Sequence, residues 1–165
     1  MSTALTVPFH GASRQKLDDR GRCHLPVKWV DQVRERGDMV LTAGPKGSLL
    51  LLEREAWEEA AARIGQDPLV SDVHRRLRSL FIGLAEAVTP DKTNRIVIGE
   101  ALRQYAGLDE MNAAFLAGLG HSIEIWAQPR WQAETAAAVD EQQLFAMQDT
   151  PGNPARGSDG GVDDS

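Results

Sequence analysis

Two stretches of this 165-residue sequence offer the same chemistry at the same spacing. Leu17-Asp18-Asp19-Arg20-Gly21-Arg22 and Pro90-Asp91-Lys92-Thr93-Asn94-Arg95 each set an aspartate four residues before an arginine. Gly21 or Asn94 stands directly ahead of that arginine, and Gly and Asn are the residues that best tolerate a positive φ, so each stretch predicts a tight turn. A carboxylate placed this way can accept backbone N–H bonds across the turn or orient the neighbouring guanidinium. The guanidinium in turn offers planar paired donors that match a phosphate or a base edge. Arg22 and Arg95 are therefore candidates for base or groove contact, and Arg14, Lys16, Arg20 and Lys92 for phosphate contact. Asp18, Gly21, Asp91 and Asn94 are the candidate turn-holding residues. One such turn taken alone is equally well read as an exposed ion pair worth about 0 to 1 kcal/mol. Its repetition and the local charge favour function.

The formal charge is −6, which does not suggest a partner for nucleic acid until its distribution is followed. From residue 149 onward four aspartates (149, 159, 163, 164) face one arginine (156), so half of the excess acid lies in the tail. Between Arg14 and Lys28 five basic residues face two aspartates. A locally basic face on an acidic chain is compatible with binding a polyanion, and the acidic tail would oppose non-specific contact.

Apolar residues make up 42% and charged residues 25%, a globular composition. No run approaches the roughly 20 apolar residues needed to span a bilayer, and the first twelve residues lack the features of a secretory signal. The expected location is the cytoplasm, without a membrane partner. Cys23 is the single cysteine, which leaves no intrachain disulfide and no thiolate metal cluster. The four histidines are scattered, Gly44-Pro45-Lys46-Gly47 does not complete a phosphate loop, and no nucleophile elbow or dinucleotide fingerprint occurs. The expectation is a protein with no catalytic site, cofactor or metal.

The elements that must position the two turns can be read in order. Ser13 to Leu17 is strand-like, Arg20-Gly21 supplies a reversal, and Cys23 to Leu25 is the returning strand. Pro26 opens a helix with Trp29, Val30 and Val33 on one face, ended by Gly37. Met39 to Thr42 and Ser48 to Leu52 form a hairpin, followed by a helix over Glu53 to Ile64 with a stripe of Trp57, Ala60, Ala61 and Ile64. Asp67-Pro68 reads as the start of the clearest helix, in which Val70, Val73, Leu77, Leu80, Phe81 and Leu84 recur at helical spacing and are expected to be buried. His74, Arg75, Arg76 and Arg78 decorate it as a solvated or ion-paired face. The order then repeats: an offset of 73 residues carries Asp18 and Arg22 onto Asp91 and Arg95, and one further residue carries Trp57 onto Trp131. Pro129 opens a last helix running towards Leu144, Phe145 and Met147. A chain of two such copies is expected to close as one pseudo-two-fold unit.

Phe9-His10-Gly11-Ala12, the first Asp-x-x-x-Arg turn with Pro26, Gly83-x-Ala85 ahead of the second turn, and Ile123-Glu124-Ile125-Trp126 before Trp131 together resemble the MraZ family, over roughly residues 9 to 147. The resemblance implies an α+β, β-rich fold of two duplicated AbrB-like swapped-hairpin halves, forming a pseudo-two-fold β-barrel core with flanking helices. On that reading residues 1–8 are a loose N-terminus, 9–65 the first half, 66–86 a connecting helix, 87–148 the second half, and 149–165 a disordered acidic tail. It also implies a nucleoid-associated transcriptional regulator. A homo-oligomeric ring would bind repeated short promoter boxes of the division and cell-wall gene cluster through the paired Asp-x-x-x-Arg turns. The competing expectation is a non-catalytic oligomeric module that uses the same turns for protein contacts. Asn94 where the family often has Gly, Gly99 where it has Pro, and the polar Cys23-His24 pair are departures. The second turn is the less basic, so its expected share of the affinity is the smaller.

Overall fold

The computed structural model describes residues 7–66 and 71–148. Along them run β1 (Ala12–Lys16), β2 (Arg22–His24), α1 (Val27–Arg36), β3 (Met39–Ala43), β4 (Leu49–Glu53), α2 (Arg54–Gly65) and α3 (Asp72–Phe81). There follow β5 (Glu86–Val88), β6 (Arg95–Val97), α4 (Glu100–Ala106), β7 (Ala113–Gly118), β8 (Ser122–Trp126) and α5 (Gln128–Gln148). The architecture is α+β, and every strand ladder is antiparallel. Strands form its centre, but helices occupy more of the described chain, so the strand-rich expectation overstates them.

Six strands form one sheet in the order β1-β7-β8-β4-β3-β5, and β2 and β6 form a separate ribbon. Hydrogen bonding in the larger sheet ends at β1 and β5 and does not close it. Exchanging β1 with β5, β2 with β6, β3 with β7 and β4 with β8 turns the strand order onto itself. The element starts keep the expected spacing: β2 and β6 begin 73 residues apart, as do α1 and α4, while β3 and β7 begin 74 apart.

A single core joins the two sheets. Leu41, Leu49, Leu51, Leu116, Ile123 and Ile125 from the larger sheet are fully buried with Cys23 and Ile96 from the ribbon. Trp29 of α1 and Leu102 of α4 are buried in the same cluster, so both helices cover it at equivalent places. Each such side chain withdraws enough apolar area to contribute about 1.5 to 3 kcal/mol. Trp29, Val30 and Val33 form the inward stripe of α1. That helix ends at Gly37, whose φ of 82° continues the chain in a conformation that a Cβ would oppose.

Two expectations are corrected. The Asp18 turn does not fold β1 back along β2: one bridge, Leu17 to Cys23, joins them, after which β1 pairs with β7 and β2 with β6. The reason is that Cys23 and Ile96 supply a buried inner face for the ribbon, while β1 finds five residues of ladder on β7. Second, the apolar stripe of α3 is not buried. Val73 and Leu77 are 72% and 44% exposed, and Leu80, Phe81 and Leu84 are half-buried. The contacts that hold α3 gather at its C-terminal end. Thr42 Oγ1 donates to the Leu80 and Phe81 carbonyls at 3.3 and 2.7 Å, and Trp57 Nε1 donates to Phe81 at 3.1 Å. The described part of this helix follows Ser71, whose Oγ accepts from the His74 N–H; Asp67, Pro68 and Val70 lie outside the described residues.

The chain divides into two compact units at Trp131. Trp131 stacks on Phe115 at 5.8 Å between ring centroids. From Gln132 onward α5 is a largely exposed helix. The side chains of Leu144, Phe145 and Met147, the first six residues and the acidic tail lie outside the description.

Candidate nucleic-acid interface

Both Asp-x-x-x-Arg stretches close by the same set of bonds. In the first, Asp18 N–H donates to Arg22 O at 3.0 Å and Gly21 N–H donates to Asp18 O at 3.1 Å. In the second, Asp91 N–H donates to Arg95 O at 2.8 Å and Asn94 N–H donates to Asp91 O at 3.0 Å. Side chains then lock these backbones. Asp18 Oδ1 accepts from Arg20 N–H and Arg22 N–H at 3.0 and 2.8 Å, and Oδ2 accepts from Arg22 Nε at 2.6 Å. Asp91 Oδ1 accepts from Thr93 N–H, the Thr93 hydroxyl and Arg95 N–H, and Oδ2 accepts from Arg95 Nε at 3.0 Å. The backbone N–H of Arg95 leads the bonds that hold the Asp91 carboxyl down to about 2, and that of Arg22 lowers Asp18 in the same way.

Positive φ angles of 79° at Gly21 and 64° at Asn94 make both turns possible. The two positions are nevertheless unequal. A Cβ on Gly21 would meet the Ile98 carbonyl and the Arg103 guanidinium, whose Nη1 donates to that carbonyl at 2.5 Å. At Asn94 there is room for a side chain, and its Oδ1 accepts from Arg34 Nη2 at 3.1 Å. Arg34 also donates to the Asp91 carbonyl, so α1 props the second turn as Arg103 of α4 packs against the first. Arg34 lies 57 residues from Asp91, and no local pattern in the sequence signals its role.

The turns lead into opposite ends of the β2–β6 ribbon. Its register sets Arg22 opposite Val97, Cys23 opposite Ile96, and His24 opposite Arg95. Because successive side chains alternate between faces, Cys23 and Ile96 point into the core while Arg22, His24, Arg95 and Val97 share the outer face. Each turn also reaches across to the other strand: Ile98 N–H donates to Gly21 O at 2.7 Å and Leu25 N–H donates to Asn94 O at 2.9 Å. The two arginines are thus brought onto one face, on a diagonal. In each guanidinium the aspartate holds the Nε, and among the described residues no bond is seen at Nη.

Arg20 and Lys92 are exposed within the turns, and Arg14 and Lys16 project from the exposed side of β1, the strand that enters the first turn. Period-two alternation about Cys23 and Ile96 could have placed His24 and Val97 with the arginines; sequence reasoning passed over both. Cys23 is buried, and burial pushes its thiol up to about 12. No three His, Cys, Asp or Glu residues among those described gather into a metal-binding group. No described helix is long and apolar enough to cross a membrane.

These features define an α+β chain in which two carboxylate-held arginine turns are mounted on a shared antiparallel ribbon. The chain belongs to the MraZ family. Residues 81–150 match the family model described as "MraZ protein, putative antitoxin-like". A Transcriptional regulator MraZ from Nitrosomonas europaea is 35% identical over 79% of this chain and 88% of its own length. Proteins of the same name from Roseiflexus sp. and Clavibacter michiganensis subsp. michiganensis are 36% and 39% identical, over 84% and 74% of this chain and 94% and 83% of their own.

Proposed function

We propose that this chain is a sequence-specific DNA-binding transcriptional regulator, without catalytic activity, acting as a homo-oligomeric ring on repeated short promoter boxes of the division and cell-wall gene cluster. The observation that carries the reading is the pairing of Arg22 and Arg95 on one ribbon face, each held at Nε by its own aspartate. Preorganised guanidiniums of this kind suit bidentate contact with a base edge, while Arg14, Lys16, Arg20 and Lys92 supply phosphate contacts. Asp18, Gly21, Asp91 and Asn94 set the geometry and stay off the DNA. The protein works in the cytoplasm, associated with the nucleoid, and needs no cofactor.

The strand order that maps onto itself supports two duplicated swapped-hairpin halves, residues 9–65 and 87–148, joined through 66–86. Each half lends a strand to the other around a barrel-like core that the ribbon completes. A single ribbon with a few cations binds DNA weakly, since non-specific affinities at physiological salt are about 10⁻⁴ to 10⁻⁶ M. Linking several subunits raises avidity by roughly 10² to 10⁴ when box spacing matches subunit spacing. The exposed Val73 and Leu77 on α3 support assembly through protein contacts. The same observation favours the competing reading of a pure assembly module.

Retardation of the duplex upstream of the chain's own gene decides between them. Wild type should retain it, with affinity falling steeply as salt rises. Arg22→Ala with Arg95→Ala should release it without changing the native oligomer mass. Wild-type indifference to DNA at low salt would leave the assembly module standing.

A further inference from the structure

We infer that the β2–β6 ribbon itself enters the major groove, and that His24 and Val97 are specificity-determining positions that give its two ends different base preferences. The inference rests on the DNA-binding reading above and extends it to residues that reading does not use. The outer face of the ribbon holds four side chains in two cross-strand pairs, Arg22 with Val97 and His24 with Arg95. Under the exchange that maps β2 onto β6, arginine meets arginine, but histidine meets valine. The two ribbon arginines therefore match at the two ends, and the side chains paired with them on the outer face do not.

Dimensions select the groove. Paired strands lie about 4.8 Å apart, so a two-stranded ribbon with its side chains suits a major groove about 12 Å wide and overfills a minor groove of about 6 Å. Diagonal partners on one face of such a ribbon are separated by about 7–8 Å, which places the two arginines over base pairs roughly two steps apart at a rise of about 3.4 Å. The ribbon is stiffened for this role by the turn-to-strand bonds at Gly21 and Asn94 and by the aspartate clamps. Its outer face carries Val97 at 54% exposure beside two arginines, where a side chain kept only for solubility would be polar. A branched apolar group there matches the thymine C5-methyl, which is presented in the major groove alone. His24 instead presents ring nitrogens that can hydrogen-bond a purine edge. The box read by one ribbon is thus asymmetric, with a thymine preference at the Arg22 end and a purine preference at the Arg95 end.

The test is selection of full-length protein on randomised duplexes, run for wild type, Val97→Ala, His24→Ala and His24→Gln. Val97→Ala should lose about 5-fold of discrimination at a single thymine position, and His24→Ala a similar factor at a different position, in line with the cost of one mismatched pair. His24→Gln should restore part of the second. Positions read by the arginines should stay unchanged in all three. Replacing guanine with 7-deazaguanine should weaken binding, and a minor-groove ligand such as netropsin should not compete. Wild type that binds, with variants selecting the wild-type box, overturns the assignment of His24 and Val97 alone. Netropsin competition with indifference to 7-deazaguanine overturns the groove. Wild type that retains no DNA removes the functional reading itself.

Discussion

Gly21→Ala tests how the first turn is built. At a φ of 79° an alanine Cβ costs about 1 to 2 kcal/mol in backbone conformation alone. The added carbon would also stand 2.5 Å from the Ile98 carbonyl oxygen, which already accepts from Arg103 and belongs to a residue whose N–H is tied to Gly21 O. Relieving that overlap means opening the ribbon end, at a further cost of about 1 to 3 kcal/mol, the range for overpacked sites. The expected loss is therefore about 2 to 5 kcal/mol. With a urea slope of about 2 kcal/mol per molar, the middle of the usual range, the midpoint should fall by roughly 1 to 2.5 M. The equivalent position gives the internal control. Asn94→Ala keeps a Cβ where one already fits, so it adds no overlap; it forfeits an exposed bond to Arg34 worth about 0.5 to 1.5 kcal/mol and the better tolerance of Asn for a φ of 64°. Urea unfolding of both variants, followed by tryptophan fluorescence, measures the difference. Equal losses, or a neutral Gly21→Ala, would refute the account of why the two turns carry different residues.

Other outcomes are expected. The Asp91 carboxyl titrates at about 2 in the folded chain against an ordinary 3.8, and Asp18 is also lowered, so both stabilise fully above the ordinary value. That contribution is lost as pH falls through the folded values, and Asp18→Asn with Asp91→Asn should flatten the stability profile between about pH 4 and 2. An unchanged acid limb would contradict the clamps. Cys23 should resist iodoacetamide at pH 8 in the native protein and react in urea, because burial holds it as the thiol; rapid native alkylation would show otherwise. Thr42→Val removes the hydroxyl that bonds the Leu80 and Phe81 carbonyls inside a fully buried site. It should cost about 1 to 3 kcal/mol by calorimetry and loosen α3 first in hydrogen exchange.

Much of the candidate site was legible because its chemistry is local. Asp, Gly or Asn, and Arg lie within five residues of one another, and the bonds among them close within the same turn. The helix starts at Pro26 and Gly99 and the β3–β4 hairpin were legible for the same reason. What the sequence did not disclose depends on distant partners. Nothing around Leu17 indicates that β1 would leave β2 for β7, since a turn signal specifies a reversal and not the ladder that follows. The stripe on α3 has the spacing of a buried helix, yet periodicity reports sidedness and cannot say what covers the apolar side. Arg34 and Arg103 reach the turns from helices, and only the assembled core sets those distances.

The strand order has a consequence for how the chain is made. Ala12 pairs with Ala117 and Met39 with Val88, so β1 and β3 each wait for strands synthesised much later. When β4 leaves the ribosome, the hairpin it forms with β3 lacks both neighbours it will have in the finished sheet, β8 and β5. Such distant pairing makes folding slow relative to a helical bundle of the same length. The early part of the chain must stay open, with its strand edges unpaired, until residues beyond 118 emerge. A ribosome that stalls before β7 therefore releases a sticky fragment, and one that finishes releases a sheet in which the late strands β7 and β8 bridge the early strands β1 and β4.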